Sequence, residues 1–126
     1  MPDIVVLGAT GFTGRLISRY LASHPQRGRF TWAIAARSKT KLDNLAKELS
    51  LPLDVENFQC DVNDEIDVQR VVKTARVVIN TVGPYYSYGT SVVRACVRNA
   101  VHYVDLSGET PWERDIIFEC VFSNKC

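Results

Sequence analysis

The amino-acid sequence predicts a doubly wound α/β domain: one parallel sheet of five strands with helices on both faces. Three observations carry this expectation. Short, solidly apolar runs rich in β-branched residues recur along the chain, amphipathic stretches of helical period separate them, and the two kinds alternate strictly from end to end. Right-handed crossovers then put helices on both faces, with an expected strand order of 3-2-1-4-5.

Ile4 to Leu7 is a run of four apolar residues ended by Gly8, the pattern of a strand buried on both faces. Leu16, Ile17, Tyr20 and Leu21 follow at helical spacing, and His24-Pro25-Gln26-Arg27-Gly28 stops that helix. Phe30 to Ala36 is the second strand. Ser38 is the expected N-cap of a helix carrying Leu42, Leu45, Ala46 and Leu49 on one face. Asp54 to Cys60 has only Val55, Phe58 and Cys60 as apolar residues, which suits a strand at the sheet edge. Asn63 is the expected cap of the third helix, with Asp64 and Glu65 in its first turn and Ile66, Val71, Val72 and Ala75 along it. Val77 to Val82 reads as strand four, Tyr85 to Gly89 as a loop, and Val92 to Ala100 as a fourth helix. Val101 to Leu106 is strand five, and Thr110-Pro111-Trp112-Glu113 reads as a capping box opening a fifth helix through Ile116, Ile117 and Cys120.

The 126 residues suit a single domain, residues 1–126, and 46% apolar with 23% charged residues excludes disordered and low-complexity architectures. A net charge of +1 lacks the broad basic field of a nucleic-acid binder, so no nucleic-acid partner is expected. The longest apolar run is five residues, Trp32 to Ala36, whereas a membrane-spanning helix needs roughly 20. No basic leader opens the chain. The cysteines at 60, 96, 120 and 126 have neither Cys-x-x-Cys nor zinc spacing, so free thiols in a reducing, cytoplasmic compartment and no metal site are expected.

Gly8-Ala9-Thr10-Gly11-Phe12-Thr13-Gly14 joins the first strand to the first helix, and this context gives the glycine spacing its meaning. Gly8 permits a sharp turn, Gly11 a close approach of backbone to a diphosphate, and Gly14 tight helix packing, while the free amides at the helix start donate to the anion. Thr10 and Thr13 add hydroxyls, and Phe12 belongs to the same expected contact set. The alternative is a tight turn without a ligand. With it, the sheet becomes a Rossmann-type dinucleotide site at the carboxyl ends of the strands.

The second strand ends Ala36-Arg37-Ser38, where an NAD-selective fold places Asp or Glu for the ribose 2′-hydroxyl. Arg37 suits a 2′-phosphate instead, with Ser38 donating and Lys39 or Lys41 adding positive potential, so NADP is expected over NAD. The alternative is a solvated Arg at a helix start. Asp61 and Val62, after strand three, either receive adenine or form a helix-capping turn. At the end of strand four, Asn80, Val82, Gly83, Pro84 and Tyr85 lie across the winding switch from the glycines. Gly83 gives the ribose room, Pro84 stiffens the turn, and Tyr85 or Tyr86 lines a nicotinamide pocket or serves packing alone. Asp105 and Glu109 are candidates for substrate or ribose contacts, or are structural. His24 and His102 stand outside the chemistry.

No Tyr-x-x-x-Lys pair, phosphate-binding G-x-x-x-x-G-K, H-E-x-x-H or G-x-S-x-G string occurs, so no catalytic residue is assigned. Four strings in order, Gly8 to Arg15, Trp32 to Ser38, Asn80 to Tyr85 with Tyr88-Gly89, and Tyr103 to Glu109, resemble the saccharopine dehydrogenase-like oxidoreductases. That group includes the trans-acting enoyl reductases. The resemblance covers nearly the whole chain and implies an N-terminal NAD(P)-binding domain, followed in family members by a C-terminal region that supplies the substrate pocket. Ala36 stands where the family usually has Gly. The Val121 to Cys126 tail departs from the family's continuation, so a truncated form is expected, with an exposed outer edge on strand five open to dimerisation. The implied activity is hydride transfer to or from an unknown small-molecule or lipid-like carbonyl, imine or enoyl substrate. Membrane association through a missing C-terminal region stays open. The alternatives are a non-catalytic NADP-sensing or partner-binding module and an NADP-linked epimerase or isoflavone-reductase-like enzyme.

Overall fold

A computed structural model describes residues 1–122. Its sheet contains β1 (Ile4–Leu7), β2 (Trp32–Ala36), β3 (Glu56–Gln59), β4 (Val77–Asn80) and β5 (His102–Asp105), ordered β3-β2-β1-β4-β5 with every pairing parallel. The order and the edge position of β3 are those the sequence predicts. Helices α1 (Phe12–Ala22), α2 (Lys39–Glu48), α3 (Glu65–Val72), α4 (Tyr85–Tyr88), α5 (Thr90–Arg98) and α6 (Thr110–Ile117) connect the strands.

Alternation along β1 sorts the core. Val5 and Leu7 pack with Val68, Val71 and Val72 of α3 and with Val92, Ala95 and Cys96 of α5, whereas Val6 packs with Leu21, Leu42 and Leu45 of α1 and α2. Successive side chains on a strand point to opposite faces, so the solid apolar run of β1 feeds two cores at once. A third, smaller cluster joins Tyr85, Val93 and Trp112 beside β5.

Several local expectations are corrected. β1 spans Ile4–Leu7 as expected, whereas the other four strands are shorter than their expected runs; pairing begins only at Trp32 in β2 and ends at Asn80 in β4. Asp64, not Asn63, caps α3: its carboxylate accepts the Ile66 and Asp67 amides at 3.0 and 3.3 Å. The Asn63 amide is held by Asp61 Oδ1 at 2.9 Å, which keeps Asn63 in the preceding turn. Tyr85–Tyr88 is a helical turn rather than a loop, so the described residues form six α-helices and not five. Thr110 forms no capping box: Glu109 precedes α6 and caps it with no side-chain bond, because its carboxylate is engaged elsewhere. Beyond Ile117 the chain widens into a π turn over Phe118–Phe122. Cys60 and Cys96 are buried free thiols as expected, but Cys120 is disulfide-bonded. Cys126 and residues 123–125 of the tail lie outside the described residues.

Candidate cofactor site

The carboxyl ends of β1, β2, β3 and β4 open into one cleft of about 340 Å³, within the range of about 300–1,000 Å³ typical of small-molecule sites. Its floor is the glycine bend. Gly8 has φ +84°, a left-handed conformation that favours glycine, and a Cβ there would meet Thr81 Oγ1 at 2.6 Å. The Thr81 hydroxyl lies 2.8 Å from Leu7 O and 3.1 Å from Gly8 O, tying the bend to the end of β4. A Cβ on Gly14 would fall 2.0 Å from Gly8 O, so α1 can leave the bend at this angle only with glycine there. At Gly11 the nearest atom to an added Cβ is 3.5 Å away, which leaves the backbone open on the cleft side.

Helix α1 starts without a side-chain cap and without an acidic residue in its first turn. The amides of Phe12, Thr13 and Gly14 find no acceptor among the described residues, while Arg15 N already bonds Gly11 O. Unpartnered amides and the positive end of the helix dipole together suit a diphosphate. The site therefore has the space and the donors for a dinucleotide.

Arg37 follows β2 at the cleft wall. Its carbonyl accepts from Gln59 Nε2 at 3.1 Å, which fixes the backbone, while its exposed guanidinium has no ion pair among the described residues. Lys39 is paired with Asp43. Ser38 caps α2, its hydroxyl oxygen accepting the Lys41 amide at 3.3 Å, and stands just outside the cleft lining. Asp61 and Val62 line the far side. Asp61 Oδ1 accepts the Asn63 amide, so the capping turn exists, and the same residue still faces the cleft. Asp67 and Arg70 hold this turn from α3, through Asp61 N to Asp67 Oδ2 at 2.8 Å and Arg70 Nη2 to Gln59 O at 2.7 Å.

The structure brings Gly8, Thr10, Gly11, Arg37, Asp61, Val62, Val82 and Gly83 together around the cleft. Phe12 and Thr13 open α1 beside it, with the Phe12 ring 82% exposed, and Gly14 is buried beneath the bend. Asn80 is fully buried: its side chain accepts from Val82 N at 3.0 Å and donates to the Tyr103 hydroxyl at 3.3 Å. The Gly83-Pro84 bond is cis. Tyr85 turns away from the cleft, stacks on Trp112 at 5.7 Å and donates to Asn80 O at 3.1 Å, while Tyr86 points outward at 68% exposure. Tyr88 lines the cleft instead. It belongs to a string that resembles the family, but the sequence assigns it no contact, because Tyr85 to Gly89 reads there as a loop. Ala36, Cys60 and Thr81, each at or one residue past a strand's carboxyl end, also face the cleft, as does Asn63 in the turn before α3.

Burial, with Asp67 adding to it, raises the Cys60 thiol to about 12, so it stays protonated and unreactive. Burial also raises the phenols of Tyr85 and Tyr103, the latter donating to Asp105 Oδ2 at 2.6 Å. Neither phenol is tuned to release a proton near neutrality. Asp105 and Glu109 serve structure: Asp105 also accepts the Ser107 amide at 2.9 Å, and Glu109 accepts amides of α4.

A doubly wound sheet with an uncapped helix start over a glycine bend at the winding switch defines a dinucleotide-binding domain. Residues 4–120 match the family model for the saccharopine dehydrogenase NADP-binding domain, and the chain belongs to that family. NADP is accordingly its cofactor. The chain is 41% identical over 115 residues to a lipid droplet localized protein of Caenorhabditis elegans, covering 87% of this chain and 27% of that protein. It is 37% identical over 117 residues to the human saccharopine dehydrogenase-like oxidoreductase, covering 84% and 27%. A trans-acting enoyl reductase of Mycobacterium leprae is 38% identical over 120 residues, covering 91% and 27%. The chain thus spans 27% of the length of each of these three relatives. Saccharopine dehydrogenase of Saccharomyces cerevisiae shares the fold at TM-score 0.73 and 22% identity, covering 92% of this chain and 24% of that one. A Citrobacter triphenylmethane reductase, solved with NADP(H), does so at 0.66 and 23%, covering 82% and 37%. Among the described residues no helix is long and apolar enough to cross a membrane.

Proposed function

We propose that this chain, residues 1–126 as one domain, captures NADP for an oxidoreductase that moves hydride to or from a carbonyl, imine or enoyl substrate. The observation that carries the cofactor part is the uncommitted guanidinium of Arg37, with no carboxylate at the tip of β2 to repel a 2′-phosphate. Amides of Phe12, Thr13 and Gly14 receive the diphosphate, Thr10 adds its hydroxyl, and Gly11 lets the backbone approach. Ser38 supports the 2′-phosphate beside Arg37. Asp61 and Val62 hold the adenine end, Val82 and Gly83 border the ribose, and Pro84, next after Gly83, stiffens that border. Asn80 and Tyr85 shape this border from behind. When bound, the cofactor supplies the hydride chemistry, and the protein orients it.

The relatives are longer than the stretch matched here, and the rest of the reaction is assigned to their additional sequence. A small-molecule or lipid-like substrate fits the names of the relatives, one an enoyl reductase and one a lipid droplet localized protein. A cytoplasmic location is proposed, and Val104 and Leu106, exposed at the outer edge of the sheet, suit self-association.

Fluorescence titration with NADPH and NADH tests the cofactor reading. One charge-assisted hydrogen bond contributes about 1.5–3 kcal/mol, so Arg37→Ala is expected to weaken NADPH binding roughly ten- to a hundredfold and leave NADH unchanged. Equal affinities in the wild type, or an unaltered preference in the variant, would overturn the phosphate assignment.

A further inference from the structure

We propose that Glu109 is a positioning residue for the cofactor cleft, acting at a distance through Tyr88. The inference rests on the reading of the cleft as the NADP site. Helix α4 is one turn of four residues and cannot sustain itself on propensity. Pro84 precedes it and offers no side-chain cap. Its first two amides are taken by a single carboxylate 24 residues away: Tyr85 N donates to Glu109 Oε2 at 2.6 Å and Tyr86 N donates to Glu109 Oε1 at 3.1 Å. A charged acceptor spanning two orphan amides at a helix start fixes both the position and the direction of the turn.

Glu109 is itself held firmly. Its amide donates to Ser107 Oγ at 3.0 Å, and the Ser107 amide donates to Asp105 Oδ1 at 2.9 Å, so the Ser107-Gly108-Glu109 turn is anchored to the end of β5. The Tyr85 ring stacks on Trp112, and its hydroxyl accepts from Leu106 N at 3.4 Å. One helical turn past Tyr85, Tyr88 enters the cleft wall with Val62 and Gly83, a wall that Glu109 does not join. The carboxylate therefore sets where the Tyr88 ring stands without touching the cleft.

The test is a double-mutant cycle on NADPH affinity with Glu109→Gln, Tyr88→Leu and both together. A glutamine offers one acceptor oxygen and turns an N–H group toward the other amide, which should loosen α4. Glu109→Gln is expected to weaken NADPH binding about tenfold in the wild-type background and by less than twofold in the Tyr88→Leu background. Unchanged affinity in Glu109→Gln, or equal losses in both backgrounds, overturns the proposal. If Glu109→Gln does not fold, Glu109→Asp, one methylene too short to reach both amides, replaces it with the same two outcomes. Failure of the wild type to bind NADPH overturns the cofactor reading instead. The positioning claim is then decided in the cofactor-free chain by NMR: a shift of the Tyr88 ring signals in Glu109→Gln with the β1 amides unmoved supports it, and unmoved Tyr88 signals overturn it.

Discussion

The three glycines of the bend make different demands, and the difference is measurable. At Gly14 an added Cβ meets Gly8 O at 2.0 Å and Ala9 Cα at 2.7 Å, both backbone atoms that cannot swing aside. At Gly11 the nearest atom is Gly8 O at 3.5 Å, an ordinary contact. Gly14→Ala must therefore push α1 off the bend, and overpacking of this kind costs about 1–3 kcal/mol. Gly11→Ala should keep a near-wild-type melting temperature and lose NADPH affinity, because its methyl group occupies only the space reserved for the diphosphate. Melting curves and NADPH titration on the two variants separate the effects. A Gly11→Ala protein that binds NADPH normally would show that the backbone is not approached there. The glycine spacing was legible in the sequence because Gly8 and Gly14 answer demands of the bend itself, a left-handed φ at Gly8 and close backbone packing at Gly14. The partner that fixes the bend, the Thr81 hydroxyl over Leu7 O and Gly8 O, was not, because it arrives from 73 residues away.

At the scale of elements, legibility follows the range of the deciding contact. Ser38 was readable as a cap because its partner is three residues on, at the Lys41 amide. The four residues of α4 were not readable as a helix, because what stabilises them is Glu109 beyond a strand and a helix. The capping box at Thr110 fails for a different reason: α6 starts one residue early, so Thr110 is already helical and the Glu113 amide bonds Glu109 O at 3.0 Å. The boundary of α3 slipped by one residue because two carboxylates each take the amide two residues on, Asp61 that of Asn63 and Asp64 that of Ile66, and only the second lies inside the helix. Asp67, in the first turn of α3, carries a pH signature. Burial pushes its carboxyl upward, but the Asp61 amide and the Arg70 guanidinium outweigh this and hold it below the usual carboxylate value. A depressed folded value means that the stabilisation is present above the unfolded value of about 3.9 and is lost as pH falls through the folded one. Melting temperatures recorded from pH 6 downward should therefore fall below about pH 4, less steeply in Asp67→Asn, which should also melt lower at neutral pH. Identical acid slopes in the two proteins would remove Asp67 from the account.

Across the whole molecule the packing is uneven, and the uneven part borders the cleft. Two clusters sandwich the sheet through β1 and β2, whereas the third contains only Tyr85, Val93 and Trp112 as buried members and lies at the β5 side. Trp112 is its keystone: it stacks on Tyr85, donates from Nε1 to Thr90 Oγ1 at 3.0 Å, and fills the space over Gly89, where a Cβ would meet its ring at 2.7 Å. Removing a buried Trp side chain costs about 3–5 kcal/mol when the site cannot collapse. Here the loss falls on a satellite cluster, so it should be spent locally, opening α4, the start of α5 and α6 while the main cores stay closed. Hydrogen exchange on Trp112→Ala is expected to speed up over residues 85–93 and 110–117 and to leave β1, β2 and α2 protected. A uniform acceleration across every strand would mean that the third cluster is an integral part of one cooperative core. Local opening should also weaken NADPH binding through Tyr88 with the glycine bend intact, which an NADPH titration of Trp112→Ala beside the exchange experiment checks.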